Sequence, residues 1–290
     1  MFILFSGYFG GESDSINFSK LLGLIIQTVC FRIVIILVDC LLHHELELKR
    51  ILLSLFPVNY FVVLYVVLMI LAPYINRLIS TLSTKAFTTL VIILFSIFSV
   101  YVTFVDVMKE VSLDELQGLS SVGLYGSMNG YSIVNFVLVY IIGVWLKRNN
   151  IVDKVKTRHV ILGLLISVLA IYALRMFSDS ALNYSNPILI IEGCLYFCLF
   201  GKLKISSKVI NSLAKASFTS FLINSNILGF VGDRFIANKS TLVIVLALVF
   251  ETLLIYGLGY VAMLLWNLIS KPFFKLVINK IPIYKLKTVK

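Results

Sequence analysis

Charge is scarce in this chain: Asp, Glu, Lys and Arg make up 13% of its 290 residues, whereas a soluble domain carries about 25% to cover its surface. Long polar stretches are missing as well, so no separate soluble domain is expected before, between or after the apolar segments. Cysteine and histidine are few. Cys30, Cys40, Cys194 and Cys198 lie in or beside apolar segments, without the spacing of a disulfide framework or a zinc site. Buried packing is their expected role, and no metal is expected. HExxH, a Walker-type glycine loop and GxSxG are all absent, which excludes the signatures of several large soluble enzyme classes. No internal repeat, Gly/Ser linker or low-complexity tract occurs either, which counts against an inverted-repeat transporter. Residues Met1 to Phe9 are apolar but lack the positive leader and cleavage site of a signal peptide. Nine helical residues reach only about 14 Å, so residues 1–10 read as a partial first helix.

What is present is apolar. Hydrophobic residues are 60% of the chain and the mean hydropathy is +1.01. A bilayer core of roughly 30 Å takes about 20 helical residues to cross, and without water each peptide group must bond inside its own helix. Eight apolar blocks fit that requirement, at residues 20–42, 57–78, 86–106, 130–147, 159–177, 186–201, 209–230 and 241–269. The expected fold is an all-α, polytopic integral membrane helical bundle of about eight spans, forming one membrane domain over residues 1–290.

The formal net charge of +11 sits at span ends rather than in basic runs interleaved with aromatics, so nucleic acid is not an expected partner. With residues 11–20 placed inside and the connections alternated, 18 of the 25 basic residues fall on the inner side and six outside. Cytoplasmic loops collect Lys and Arg, so both termini are expected in the cytoplasm. The basic tail, residues 271–290, is expected to rest on anionic headgroups. The longest outer connection, Asp106 to Asn129, holds Asp106, Glu110, Asp114 and Glu115 against Lys109. Its apolar spacing suits either a short amphipathic helix or a plain loop.

Arg32, Glu192 and Glu251 lie well inside predicted spans, with Asp39 nearer an end. An ionised group at the membrane centre costs about 2.5–3.5 kcal/mol, so each needs a partner or a wet cavity. Pairing of Arg32 with Glu192 or Glu251 is expected, either lining a substrate path or fixing helix order. His43 and His44 stand in a polar turn with Glu45 and Glu47. They are candidate general bases, although solvated His and Glu are common in such turns.

Four sequence segments in order resemble one family. Ser6-Gly7-Tyr8-Phe9 is similar to an "SGYF" segment, and Tyr65 through Pro73-Tyr74-Ile75-Asn76 to a span ending in a Ser-Pro-Phe-Leu-Asn type sequence. Gly130-Tyr131-Ser132 with Phe136, Tyr140, Gly143 and Lys147-Arg148 resembles a "GYS…F…LY.IG…R" helix. Leu213 to Phe218, followed by Phe221-Leu222-Ile223-Asn224, resembles an "LAKSSFGVYLIH" segment. The family so resembled is acyltransferase-3, the membrane O-acyltransferases of bacterial surface polysaccharides.

The resemblance implies acetyl-CoA as acyl donor on the cytoplasmic side, a glycan or lipid-linked glycan acceptor, and a bacterial cell membrane. Lys147, Arg148, Lys154, Lys156 and Arg158 have charge suited to the phosphates of CoA. Two departures bear on activity. The family's opening helix, with the Arg and His held to be essential, would lie ahead of Met1, and the late histidine is replaced by Asn224, which cannot titrate near neutral pH. The catalytic residue is thus unassigned, and an incomplete or inactive copy stays open. The rival reading is a polysaccharide flippase, polymerase or transporter-like protein with Arg32, Glu192 and Glu251 along a lumen.

Overall fold

The computed structural model describes residues 1–43, 48–56, 59–110, 116–119, 128–203, 205, 207–235, 240–276 and 281–286. Helices dominate them. In chain order they are α1 (Phe2–Gly10), α2 (Phe18–His43), α3 (Leu48–Ser54), α4 (Tyr60–Ser80), α5 (Thr84–Phe95), α6 (Val102–Glu110), α7 (Ile133–Arg148), α8 (Ile151–Lys154), α9 (Thr157–Arg175), α10 (Pro187–Gly201), α11 (Lys208–Phe235) and α12 (Thr241–Leu276). A π-helical turn, Ser96–Tyr101, joins α5 to α6 without a break, and short 3₁₀ turns cover Met128–Gly130 and Asp179–Leu182. A helix stands at every predicted span. Among the described residues, six segments are long and apolar enough to cross a bilayer: Phe18–Leu41, Tyr60–Ser80, Thr84–Glu110, Thr157–Arg175, Asp179–Gly201 and Thr241–Pro272. The protein is therefore an all-α, multi-pass membrane bundle.

Local chemistry sets the helix starts. The Ser83 and Ser132 hydroxyls accept from the backbone N–H of Ala86 and Asn135, and the Asn186 amide oxygen accepts from Ile188 with Pro187 at the first helical position. Each removes an orphan donor at a helix start.

Two compact units are interleaved along the chain. The first comprises Met1–Ile16, Val63–Lys204 and Tyr284–Lys290; the second comprises Asn17–Val62 and Ile205–Ile283. In the first unit α1 packs along α7, α9 along α10, and α5 against α7, around buried Leu4, Leu68, Phe87, Leu138, Tyr140 and Val160. The face of α9 carrying Leu162, Leu165, Ile166 and Leu169 stays exposed, as a lipid-facing stripe should. In the second unit α11 and α12 form a long helical pair with α2 beside α11.

Two expectations change in detail. The helix after Thr84 continues through Asp106 to Glu110, so the start of the expected outer connection is helical, whereas Leu116 lies outside any helix. At the other terminus α12 runs through Lys271 and Pro272 to Leu276. Beyond it, Tyr284–Lys285 pairs antiparallel with Ser15–Ile16, and the Leu286 N–H donates to the Asp14 carbonyl. That part of the basic tail has its backbone held by protein.

Candidate functional site

Three of the four segments quoted above converge within the first unit. The Ser6 and Tyr65 hydroxyls lie 3.1 Å apart, and the rings of Phe5 and Tyr8 pack on Phe197 of α10. A Cβ on Gly7 would fall on the carbonyl oxygen of Tyr140, and one on Gly143 would fall on that of Leu4. Glycine at these places lets α1 and α7 touch backbone to backbone. The Tyr140 hydroxyl then donates to Asn76 Oδ1 at 3.0 Å, while Asn76 Nδ2 donates to the carbonyls of Gly10 and Ser13, both at 2.9 Å. Asn76 is 6% exposed and Tyr140 1%. One buried amide thus ties the C-terminal ends of α1 and α4 to the middle of α7, with its three principal bonds made to protein.

Basic residues gather at the C-terminal end of α7. Arg148 donates from Nη1 to the Ile79 carbonyl at 3.1 Å and from Nη2 to that of Leu82 at 2.6 Å, and its guanidinium lies over the Phe87 ring. It therefore satisfies carbonyls around the C-terminus of α4. Lys147 pairs with Glu12 at 3.1 Å, and Lys202 Nζ donates to the Val155 carbonyl. Lys154, Lys156 and Arg158 remain exposed. Of the five residues expected to meet phosphates, Arg148 serves the end of α4, Lys147 pairs with Glu12 and three face outward.

The N-terminal end of α7, about 20 Å away along a helix rising 1.5 Å per residue, is polar in a different manner. Ser99, Thr103, Asp106 and Glu110 fall on one helical face, and Ser99, Asp106 and Glu110 bond to the segment 178–186. Ser99 donates to the Ser185 carbonyl at 2.6 Å, Asn183 Nδ2 to Asp106 at 3.2 Å, and Ser180 to Glu110 through both its N–H at 3.0 Å and its hydroxyl at 2.5 Å. Arg175 pairs with Asp179 beside them. Asn135 Nδ2 donates to the carbonyls of Gly130 and Tyr184, at 3.0 and 3.2 Å. Gly130 takes φ +80, and its missing Cβ leaves room for the Tyr184–Ser185 backbone.

The remaining expected residues fall in either unit. Glu192 is half-buried on α10. In the second unit Arg32 lies on α2, Asn224 half-buried on α11 and Glu251 3% exposed on α12. No ion pair joins Arg32 to Glu251: Arg32 Nε and Glu251 Oε1 are both buried with no hydrogen-bond partner among the described residues. Gln27 Nε2 donates to Thr219 Oγ1 at 3.3 Å nearby on the same helices as Arg32 and Asn224. His43 is the last residue of α2, its side chain outside the described residues, as is the whole of His44.

A family model described as an acyltransferase domain, acyltransferase-3, matches residues 1–282. The chain belongs to the acyltransferase-3 family. It is accordingly a membrane acyltransferase by family, and the match does not favour the transporter reading. Neither a curated protein nor a solved structure matches it. Gly7, Asn76, Tyr140 and Gly143 of this acyltransferase-3 chain thus acquire a physical role: they hold α1, α4 and α7 in one piece. Sequence reading singled them out only as similarities. It missed Thr103, Asn135 and Ser185, although the spacing of Ser99, Thr103, Asp106 and Glu110 already marks a polar helix face.

Proposed function

We propose that the chain transfers an acyl group, acetyl in the first instance, from acetyl-CoA to a hydroxyl of an extracellular or capsular polysaccharide or its lipid-linked precursor, in a bacterial cell membrane. The observation that carries the reading is the family match over residues 1–282 together with convergence of three motif segments on Asn76. In the reaction a general base takes the proton of the acceptor hydroxyl, and the oxygen forms an ester bond to the acyl carbon. The carbon–sulfur bond breaks and CoA leaves as its thiol. The end of the first unit with Lys154, Lys156 and Arg158 exposed is the end suited to the phosphates of CoA, and cytoplasmic by its charge. No residue of this chain is assigned as the base.

The test is transfer of radiolabel from [acetyl-³H]acetyl-CoA to glycan in membranes carrying the chain. Labelled, base-labile ester in the glycan fraction supports the proposal. Membranes with the folded protein but no label above those lacking it would overturn it.

A further inference from the structure

We infer that the N-terminal end of α7, with the Ser99–Glu110 face and segment 178–186, is a binding site for a sugar ring. Ser185 Oγ, Asn135 Oδ1 and Thr103 Oγ1 are all buried there without a hydrogen-bond partner among the described residues, on side chains 2%, 6% and 8% exposed. The three residues lie on neighbouring segments. Thr103 stands one helical turn beyond Ser99, whose hydroxyl reaches Ser185, and Asn135 holds the carbonyl of Tyr184, the residue before Ser185. A buried polar atom left unbonded costs about 1–3 kcal/mol, so three in one cluster are a burden that a ligand with several hydroxyls would lift.

Other features fit a carbohydrate. Two carboxylates, Asp106 and Glu110, are fixed at the cluster by Asn183 and Ser180, and a carboxylate accepts hydrogen bonds from sugar hydroxyls. Tyr131 and Tyr184 put their rings 4.9 Å apart and remain 37% and 56% exposed, offering an aromatic surface to the apolar face of a pyranose. The turn preceding Thr103 is π-helical, a conformation that occurs mostly as single turns and frequently at functional sites. Binding at this site stands independently of catalysis; only the naming of its ligand as the acceptor rests on the acyltransferase proposal.

Thr103→Val and Ser185→Ala remove buried hydroxyls that make no bond as donors or acceptors within the described residues, so both variants are expected to melt at or above the parent. Saturation-transfer NMR on the full chain in nanodiscs would use the methyl glycosides of glucose, galactose and N-acetylglucosamine as probes, with glycerol as control. At least one glycoside is expected to bind, with Kd weakened roughly two- to tenfold in each variant. No glycoside binding, parent-like Kd in both variants, or equal competition by glycerol would overturn the inference, the last outcome marking a site for solvent alone. Labelled acetyl transfer measured in parallel separates the claims: transfer without glycoside binding sinks this site alone, and binding without transfer sinks the enzymatic reading alone.

Discussion

Tyr140 and Gly7 show how single residues carry the arrangement of the first unit. Tyr140→Phe removes the donor to Asn76 Oδ1 and strands a buried acceptor, a loss of about 1–3 kcal/mol. Gly7→Ala is expected to be at least as harmful, because the new methyl meets the Tyr140 carbonyl, a backbone atom that cannot swing aside. Overpacking of this type costs about 1–3 kcal/mol or more. By contrast, Thr157→Ala, at an exposed position of α9, should be close to neutral. Melting of the purified protein in detergent checks all three. A Gly7→Ala protein that melts with the parent would mean that α1 does not lie against α7.

At the scale of elements, the two basic neighbours at the end of α7 predict different losses. Lys147 makes a surface ion pair with Glu12, 35% and 81% exposed, and such pairs contribute about 0–1 kcal/mol. Arg148 instead feeds two carbonyls at the end of α4 and stacks on Phe87. Arg148→Ala is therefore expected to lower the melting temperature clearly and to speed proteolysis between α4 and α5, whereas Lys147→Ala leaves both nearly unchanged. Equal effects would place both side chains in solvent.

These same elements show what the sequence could reveal. Lipid leaves a long apolar helix as the solution for a spanning segment, so length and composition alone placed a helix at each of the eight predicted blocks, six of which among the described residues are long and apolar enough to cross a bilayer. The backbone-to-backbone seam of α1 and α7 was not legible. It depends on glycines more than 130 residues apart, at Gly7 and Gly143, and no local pattern states which small residue meets which. Charge was read for its location and not for its partner. Arg148 was read as suited to phosphate by its charge alone, and its bonds to the Ile79 and Leu82 carbonyls leave no mark in composition. Asn135, Thr103 and Ser185 were unreadable as a cluster for the same reason, since only folding brings their three segments together.

For the whole molecule, the first unit has a charge polarity that fixes an expected orientation. Arg77, Lys85, Lys147, Arg148, Lys154, Lys156, Arg158 and Lys202 belong to helix ends and connections at the end where α7 finishes. The end where α7 begins has Asp106, Glu110 and Asp179, with Arg175 already paired to Asp179. Positive charge near span ends is retained on the cytoplasmic side, so this unit is expected to present Lys156 to the cytoplasm and Leu182 to the outside. Both positions are exposed, which makes them suitable for single-cysteine probes. In a chain with its four native cysteines changed to alanine, Leu182→Cys should react with a membrane-impermeant maleimide in intact cells. Lys156→Cys should react only after permeabilisation. The reverse pattern would invert the protein in the membrane, placing the Thr103–Ser185 cluster on the cytoplasmic side, where the extracellular acceptor of the proposed reaction has no access to it.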